Sequence, residues 1–152
     1  MSFDSEIVEN ARLWLNTPYL HQASRRGAGC DCLGLLRGVW RECLGHEPEV
    51  IPAYTDDWSE ASGREDLLSA AQRCLIPAND QPMRPGDVLL FRMRLGAVAK
   101  HLGILTETAP NLRFIHAYSG HGVVETAISE PWRRKIAARF RFPEPKFLHK
   151  GA

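Results

Sequence analysis

Two cysteines one residue apart, Cys30 and Cys32, and a set of histidines are the side chains of this chain best suited to nucleophilic chemistry. The thiols lie in Gly29-Cys30-Asp31-Cys32-Leu33-Gly34, where a glycine-broken turn gives way to apolar residues at helical spacing: Cys32, Leu35, Leu36, Val39, Trp40, Cys43 and Leu44. That spacing predicts a helix with one buried stripe, stopped by Gly45. The unpaired N–H groups of its first turn favour a thiolate there. A cysteine in that place is a nucleophile or a small core residue. As a nucleophile it needs a base, because a free thiol titrates near ~8.5, and the base needs a third group to fix its tautomer.

Two histidines stand on predicted strands. His101 opens the strand His-Leu-Gly-Ile-Leu, and His116 lies in Arg-Phe-Ile-His-Ala, the next one. Their separation fits a strand–turn–strand connection, which could set His116 beside His101 as the orienting group. By alternation His101, Gly103 and Leu105 share one face, and Gly103 is expected to leave room for a helix to come close. Blander readings stand beside this one. A cysteine on an apolar helical stripe is usually core, and a strand histidine is usually a hydrogen-bonded structural residue. Zinc could take Cys30, Cys32, His101 and His116, although Cys-x-Cys is one residue short of the usual Cys-x-x-Cys hook.

The elements that must position these groups follow from the pattern. A first helix is expected over 4–16, with Asp4 or Ser5 as cap and Ile7, Ala11, Trp14 and Leu15 as its apolar face. Pro18 ends it and opens a loop to the Cys32 helix. Residues 47–63 carry prolines that forbid a regular element, yet Tyr54 and Trp58 suggest packing. A short amphipathic helix is expected over 64–75. Strands follow at 88–92, 102–106, 113–117, 123–126 and 136–142, with a short helical turn at Ser129-Glu130-Pro131. Helices first and antiparallel strands second is an α+β layout, a cysteine helix laid against a sheet.

The 152 residues fit one domain, with the tail after about 143 loosely ordered. With 44% hydrophobic and 24% charged residues and a net charge of +1, the chain reads as globular and carries no general nucleic-acid footprint. Arg133, Arg134, Lys135, Arg139 and Arg141 make only the C-terminal part basic. No apolar run approaches the ~20 residues of a membrane span, and no signal peptide is visible, so synthesis in the cytoplasm is expected. Without an extracellular context the four cysteines read as reduced thiols.

Five motifs occur in the order seen in NlpC-type cysteine peptidases: Thr-Pro-Tyr at 17–19, Gly-Cys-Asp-Cys-Leu-Gly-Leu-Leu at 29–36, Pro-Gly-Asp-Val-Leu-Leu-Phe at 85–91, His-Leu-Gly-Ile at 101–104 and Phe-Ile-His-Ala at 114–117. The chain resembles these papain-like enzymes of bacterial cell-wall turnover from about residue 10 to 142. His-Gln-Ala-Ser and Ala-Val-Ala-Lys-His-Leu-Gly-Ile are similar to the group encoded among tail genes of phages and gene transfer agents. The resemblance implies a papain-like fold, with N-terminal helices packed on a five- to six-stranded, mainly antiparallel sheet. It implies Cys32 as nucleophile, His101 as base and His116 as its orienting residue. Tyr19 would serve the oxyanion with the Cys32 N–H, and Asp31 would help receive the free amino end of the substrate. Cys30 is expected to be a spectator.

By the same resemblance the substrate is a peptidoglycan stem peptide, cut between D-glutamate and a diamino acid, with no cofactor or metal. Carriage in a virion tail, beside tail or baseplate proteins, would bring the enzyme to the wall. A silent tail-assembly protein and an amidase or acyltransferase using the same pair are the alternatives. Leu33 replaces the usual serine after the cysteine, and Gln22-Ala23 stands near the place of a common Gly-Gly. Both departures bear on substrate preference.

Overall fold

The computed structural model describes residues 2–58 and 60–145; the end of the tail, 146–152, lies outside the described residues. The first helix, α1 (Phe3–Leu13), starts earlier than its sequence pattern suggested, because the Ser2 hydroxyl accepts the Ser5 N–H and caps it. It also stops earlier, at Trp14, and Asn16 turns the chain with φ 72°. A hairpin with no sequence signal comes next, β1 (Ser24–Arg25) and β2 (Gly29–Cys30), turning at Gly27. The cysteine helix, α2 (Cys32–Leu44), runs as its apolar stripe requires and ends at Gly45 with φ 89°. Then come α3 (Asp66–Cys74), one residue or two shorter at each end than expected, and β3 (Ile76–Pro77). The remaining elements, besides a 3₁₀ turn at Glu60–Ser62 inside the stretch expected to be irregular, are β4 (Val88–Arg92), β5 (Ala99–Glu107), β6 (Arg113–Tyr118), β7 (Gly122–Ala127), α4 (Glu130–Arg134) and β8 (Ile136–Arg141).

Six strands form one antiparallel sheet in the order β3-β8-β4-β5-β6-β7. The architecture is therefore α+β. Alternation divides the strand side chains between two faces. Val88, Leu90, Leu102, Ile104 and Ile115 join Ile7, Ala11, Trp14, Leu35 and Val39 in the main core under α1 and α2. Leu89, Phe91, Leu105 and Phe114 form a second cluster on the other face, where Leu112, Ile128, Trp132 and Ile136 pack against them. Each fully buried side chain of this size contributes roughly 1.5–3 kcal/mol relative to exposure.

Two expectations about the sheet are corrected. β5 begins at Ala99, so His101 lies inside the strand rather than opening it. The bare side of Gly103 is not a berth for the helix: an added Cβ would sit 2.6 Å from the Phe114 ring and 2.9 Å from the Ile115 carbonyl oxygen. The room is taken by β6, while α2 packs on the Leu102–Ile104 face.

Of the basic C-terminal part, Arg139 and Arg141 are spent inside the molecule, while Arg133 and Arg134 stay exposed. Asp87, fully buried in the Pro85-Gly86-Asp87 turn, accepts from Arg141 Nε at 2.9 Å and the Arg84 N–H at 3.1 Å, with Arg139 at 3.4 Å. A buried carboxylate needs such partners, since removing one leaves a desolvated charge exposed to several kcal/mol of penalty.

Candidate active site

Cys32 is the first residue of α2, and the residues around it explain why the chain turns there. Asp31 is the helix cap: its Oδ1 accepts the Gly34 N–H at 2.7 Å. Its Oδ2 accepts the Gln22 N–H at 2.7 Å and the Tyr54 hydroxyl. Gly34 has to be glycine, because a Cβ would lie 1.8 Å from the Ala23 carbonyl oxygen. Ser24 completes the junction by donating its hydroxyl to the Gly34 carbonyl at 2.6 Å. Tyr19 is brought alongside by a parallel bridge to Cys30, in which Cys30 donates to the Pro18 carbonyl and Leu20 to the Cys30 carbonyl, both at 3.0 Å. Cys30 itself is wholly buried in the core.

The histidines come from the sheet. Antiparallel pairing of β5 with β6 sets His101 Nε2 2.8 Å from His116 Nδ1, and His116 Nε2 lies 3.0 Å from Thr126 Oγ1 on β7. If His116 donates Nε2–H to Thr126, its Nδ1 is left to accept Nε2–H of His101. His101 Nδ1 is then the free base. Thr126 is thus part of the arrangement, and sequence reasoning missed it, since a threonine on a strand carries no local signal.

Tyr19, Asp31, Cys32 and His101 line one cleft of about 250 Å³, with His116 behind His101. Its other wall was also missed. Tyr54 and Trp58 stack at 4.2 Å and 9° between planes, and with Asp56 and His21 they border the cleft. His21 Nδ1 is 2.7 Å from Asp56 Oδ1 and its Nε2 is 2.9 Å from the Tyr54 carbonyl oxygen, so His21 ties this irregular segment down. The aromatics of the proline-rich stretch were the only clue.

Burial governs the protonation states. It pushes the Cys32 thiol up to about 12, helped by the neighbouring Asp31 charge, while N–H groups of Leu102 and Leu33 that bond the sulfur pull the other way. Burial lowers both imidazoles well below 6.5, with His116 adding to the effect on His101 and His121 to that on His116. Burial thus opposes charge on the thiol and on both imidazoles, against the thiolate that the helix start favours. Tyr19 is raised to about 12 by burial and then by Cys32, so its hydroxyl stays a donor through neutral pH. Among the described residues no three His, Cys, Asp or Glu side chains are grouped to hold a metal ion. No helix among them is long and apolar enough to cross a membrane.

The profile of the NlpC/P60 family matches residues 16–141. The chain belongs to this family. Among curated NlpC/P60 relatives it is 28% identical over 131 residues to the murein DD-endopeptidase MepS/murein LD-carboxypeptidase of Escherichia coli (strain K12), covering 86% of this chain and 58% of that protein. It is 26% identical over 140 residues to the gamma-DL-glutamyl hydrolase of Bacillus subtilis (strain 168), covering 91% of this chain and 29% of that protein. The chain thus spans little more than half, or less, of these relatives.

Solved structures show the shared fold. An NlpC/P60 family protein from Bacillus cereus ATCC 10987 superposes with a TM-score of 0.64 at 15% identity, over 91% of this chain and 40% of the other. The NlpC/p60 domain of the peptidoglycan hydrolase SagA gives 0.59 at 21% identity, over 91% and 98%.

Proposed function

We propose that this NlpC/P60 chain is a cysteine peptidase that cuts peptidoglycan stem peptides with Cys32 as nucleophile, His101 as base and His116 as the residue that orients it. The observation that carries the reading is the convergence of Cys32 and His101 on one cleft with His101 Nε2 held 2.8 Å from His116 Nδ1. As the sulfur attacks the peptide carbonyl, His101 Nδ1 takes its proton and a tetrahedral oxyanion forms. The Tyr19 hydroxyl and the Cys32 N–H would hold that oxyanion, each worth about 3 kcal/mol. Collapse breaks the C–N bond, and His101 gives its proton to the leaving amine. Water, deprotonated by His101, then cleaves the thioester.

The finer assignments rest on the five ordered motifs. They favour the bond between D-glutamate and a diamino acid, with Asp31 toward the substrate's free amine. Asp31 already accepts three hydrogen bonds and is 2% exposed, so its part is as much to cap α2 as to meet substrate. The names of the relatives support the two parts separately: the endopeptidase acts on murein, though at DD and LD bonds, and the hydrolase acts at a glutamyl bond. The motifs shared with phage and gene-transfer-agent enzymes favour carriage on a virion tail. Digestion of purified peptidoglycan, with products identified by mass spectrometry, tests the reading. Wild type should release fragments with new amino ends on the diamino acid, and Cys32→Ala should not. Absence of new fragments from wild type would sink it, and new ends at the amide joining peptide to glycan would mean an amidase instead.

A further inference from the structure

We propose that Trp132, on α4, is a positioning residue for His101 and His116: its indole covers the two imidazoles, excludes water from their hydrogen bond and keeps His101 aimed at the cleft. The indole centroid lies 5.8 Å from His101 at 37° between planes and 5.2 Å from His116 at 81°. It also meets Phe91 and Phe114 at 5.2 Å and Tyr118 at 5.9 Å. Phe91, Phe114 and Tyr118 are parts of the strands that carry or flank the histidines. Trp132 comes from outside them, on a helical turn laid over the sheet face opposite α2. That turn is fixed in place. Pro131 stands in its first turn, Arg133 donates to the Ser129 carbonyl at 2.9 Å, and Ile128 donates to the Leu112 carbonyl at 2.8 Å. The Lys135 ammonium lies over the indole, 5.4 Å from its centroid.

The physical reason is competition with water. A hydrogen bond between imidazoles is stronger in a low-dielectric site, and a water able to reach Nε2 or Nδ1 would loosen the ring and favour its protonated form. The groups facing the pair are Cys32, Tyr19, Asp31, His21, Tyr54 and Asp56 around the cleft, Lys100 with Glu60 on the strand side, Tyr118 and His121 beside His116, and Lys135 over the indole. Burial is the largest influence on both histidines, so hydration after loss of the indole should move both toward 6.5.

This inference rests on the Cys32–His101–His116 reading, and its test separates the two. Trp132→Ala, Trp132→Phe and Ile128→Ala would be compared with wild type by pH profiles of kcat and KM on a stem-peptide substrate and by NMR titration of the histidines. Ile128 packs in the same cluster but carries no ring to cover the imidazoles, so it controls for lost packing. Trp132→Ala should lower kcat about 10- to 100-fold with KM within about twofold, and move the acidic limb and the histidine titrations toward 6.5. Trp132→Phe should recover most of both, and Ile128→Ala should lower stability without moving the limb. If Trp132→Ala does not fold, Trp132→Phe decides, through a smaller shift of the same sign. Unmoved histidine titrations in the Trp132 variants, or an equal shift in Ile128→Ala, would overturn the inference. Wild type without activity would overturn the peptidase reading, while the NMR titration would still report on the cover.

Discussion

Cys32 reaches the cleft by one route and His101, backed by His116, by another, and the routes differ in how far the chain must travel to build them. On the cysteine side nearly everything is local: Tyr19, Gln22, Ala23, Ser24, Asp31 and Gly34 interlock within a short stretch of sequence. On the histidine side nothing is. His101, His116, Thr126 and Trp132 come from β5, β6, β7 and α4 and meet only when the sheet has its register. A lesion on the first side should therefore strike fold and chemistry together, whereas one on the second can strike chemistry alone.

The sharpest separation is expected from His101→Gln. Loss of the base should cost about 10³- to 10⁴-fold in kcat/KM, read from the rate of stem-peptide cleavage. The turn around Asp31 and Gly34 has no bond to His101, so the melting temperature should hold within a few degrees. A collapse of the fold in this variant would show that the two sides are not independent.

Gly34→Ala should do the reverse. The added methyl meets a backbone carbonyl, which cannot swing away as a side chain can, so α2 must shift off its cap. A loss of about 3 kcal/mol is expected in urea unfolding, with activity falling in step. Wild-type stability with lost activity would mean that the junction serves chemistry alone.

The same contrast governs what was legible in the sequence. The span of α2 and its stop at Gly45 followed from residues next to one another, as did five of the six strands of the sheet, whereas its Asp31 cap and β3 were not read. The juxtaposition of His101 and His116 needed only the rule that neighbouring strands pair. Thr126 and Trp132 could not be read because their partners are fixed by register and by a helical turn returning over the sheet. The Tyr54–Trp58 wall lies in a segment with no periodicity, held by His21, Gln22 and Asp31 across more than twenty residues. Gly103 misled because alternation tells which side a residue faces but not which element occupies that side.

Acid should single out the histidine side. Both imidazoles have folded-state values below 6.5, so beneath that pH the unfolded chain binds protons that the folded chain refuses. Their contribution to stability is complete above 6.5 and is lost as the pH falls toward the lowered values. Urea midpoints measured between pH 7 and 4.5 should decline, and His116→Asn, which removes one titrating ring, should flatten the decline. An equal slope in the variant would place the acid sensitivity outside the two imidazoles.

The smallest effect is expected where the missed wall meets the local junction. Tyr54→Phe removes the hydroxyl that donates to Asp31 Oδ2 but keeps the ring stacked on Trp58. Oδ2 retains the Gln22 N–H at 2.7 Å, and Oδ1 the Gly34 N–H, so the carboxylate is not left bare. The cost should be about 1 kcal/mol, a fall of roughly 2–4 °C in Tm for a chain of this size. Cleavage of stem peptide should change less than tenfold, because no atom of the Cys32–His101–His116 set is disturbed. A loss comparable to that of His101→Gln would mean that the Tyr54 hydroxyl, and with it the whole 47–63 segment, belongs to the reacting site and not to its wall.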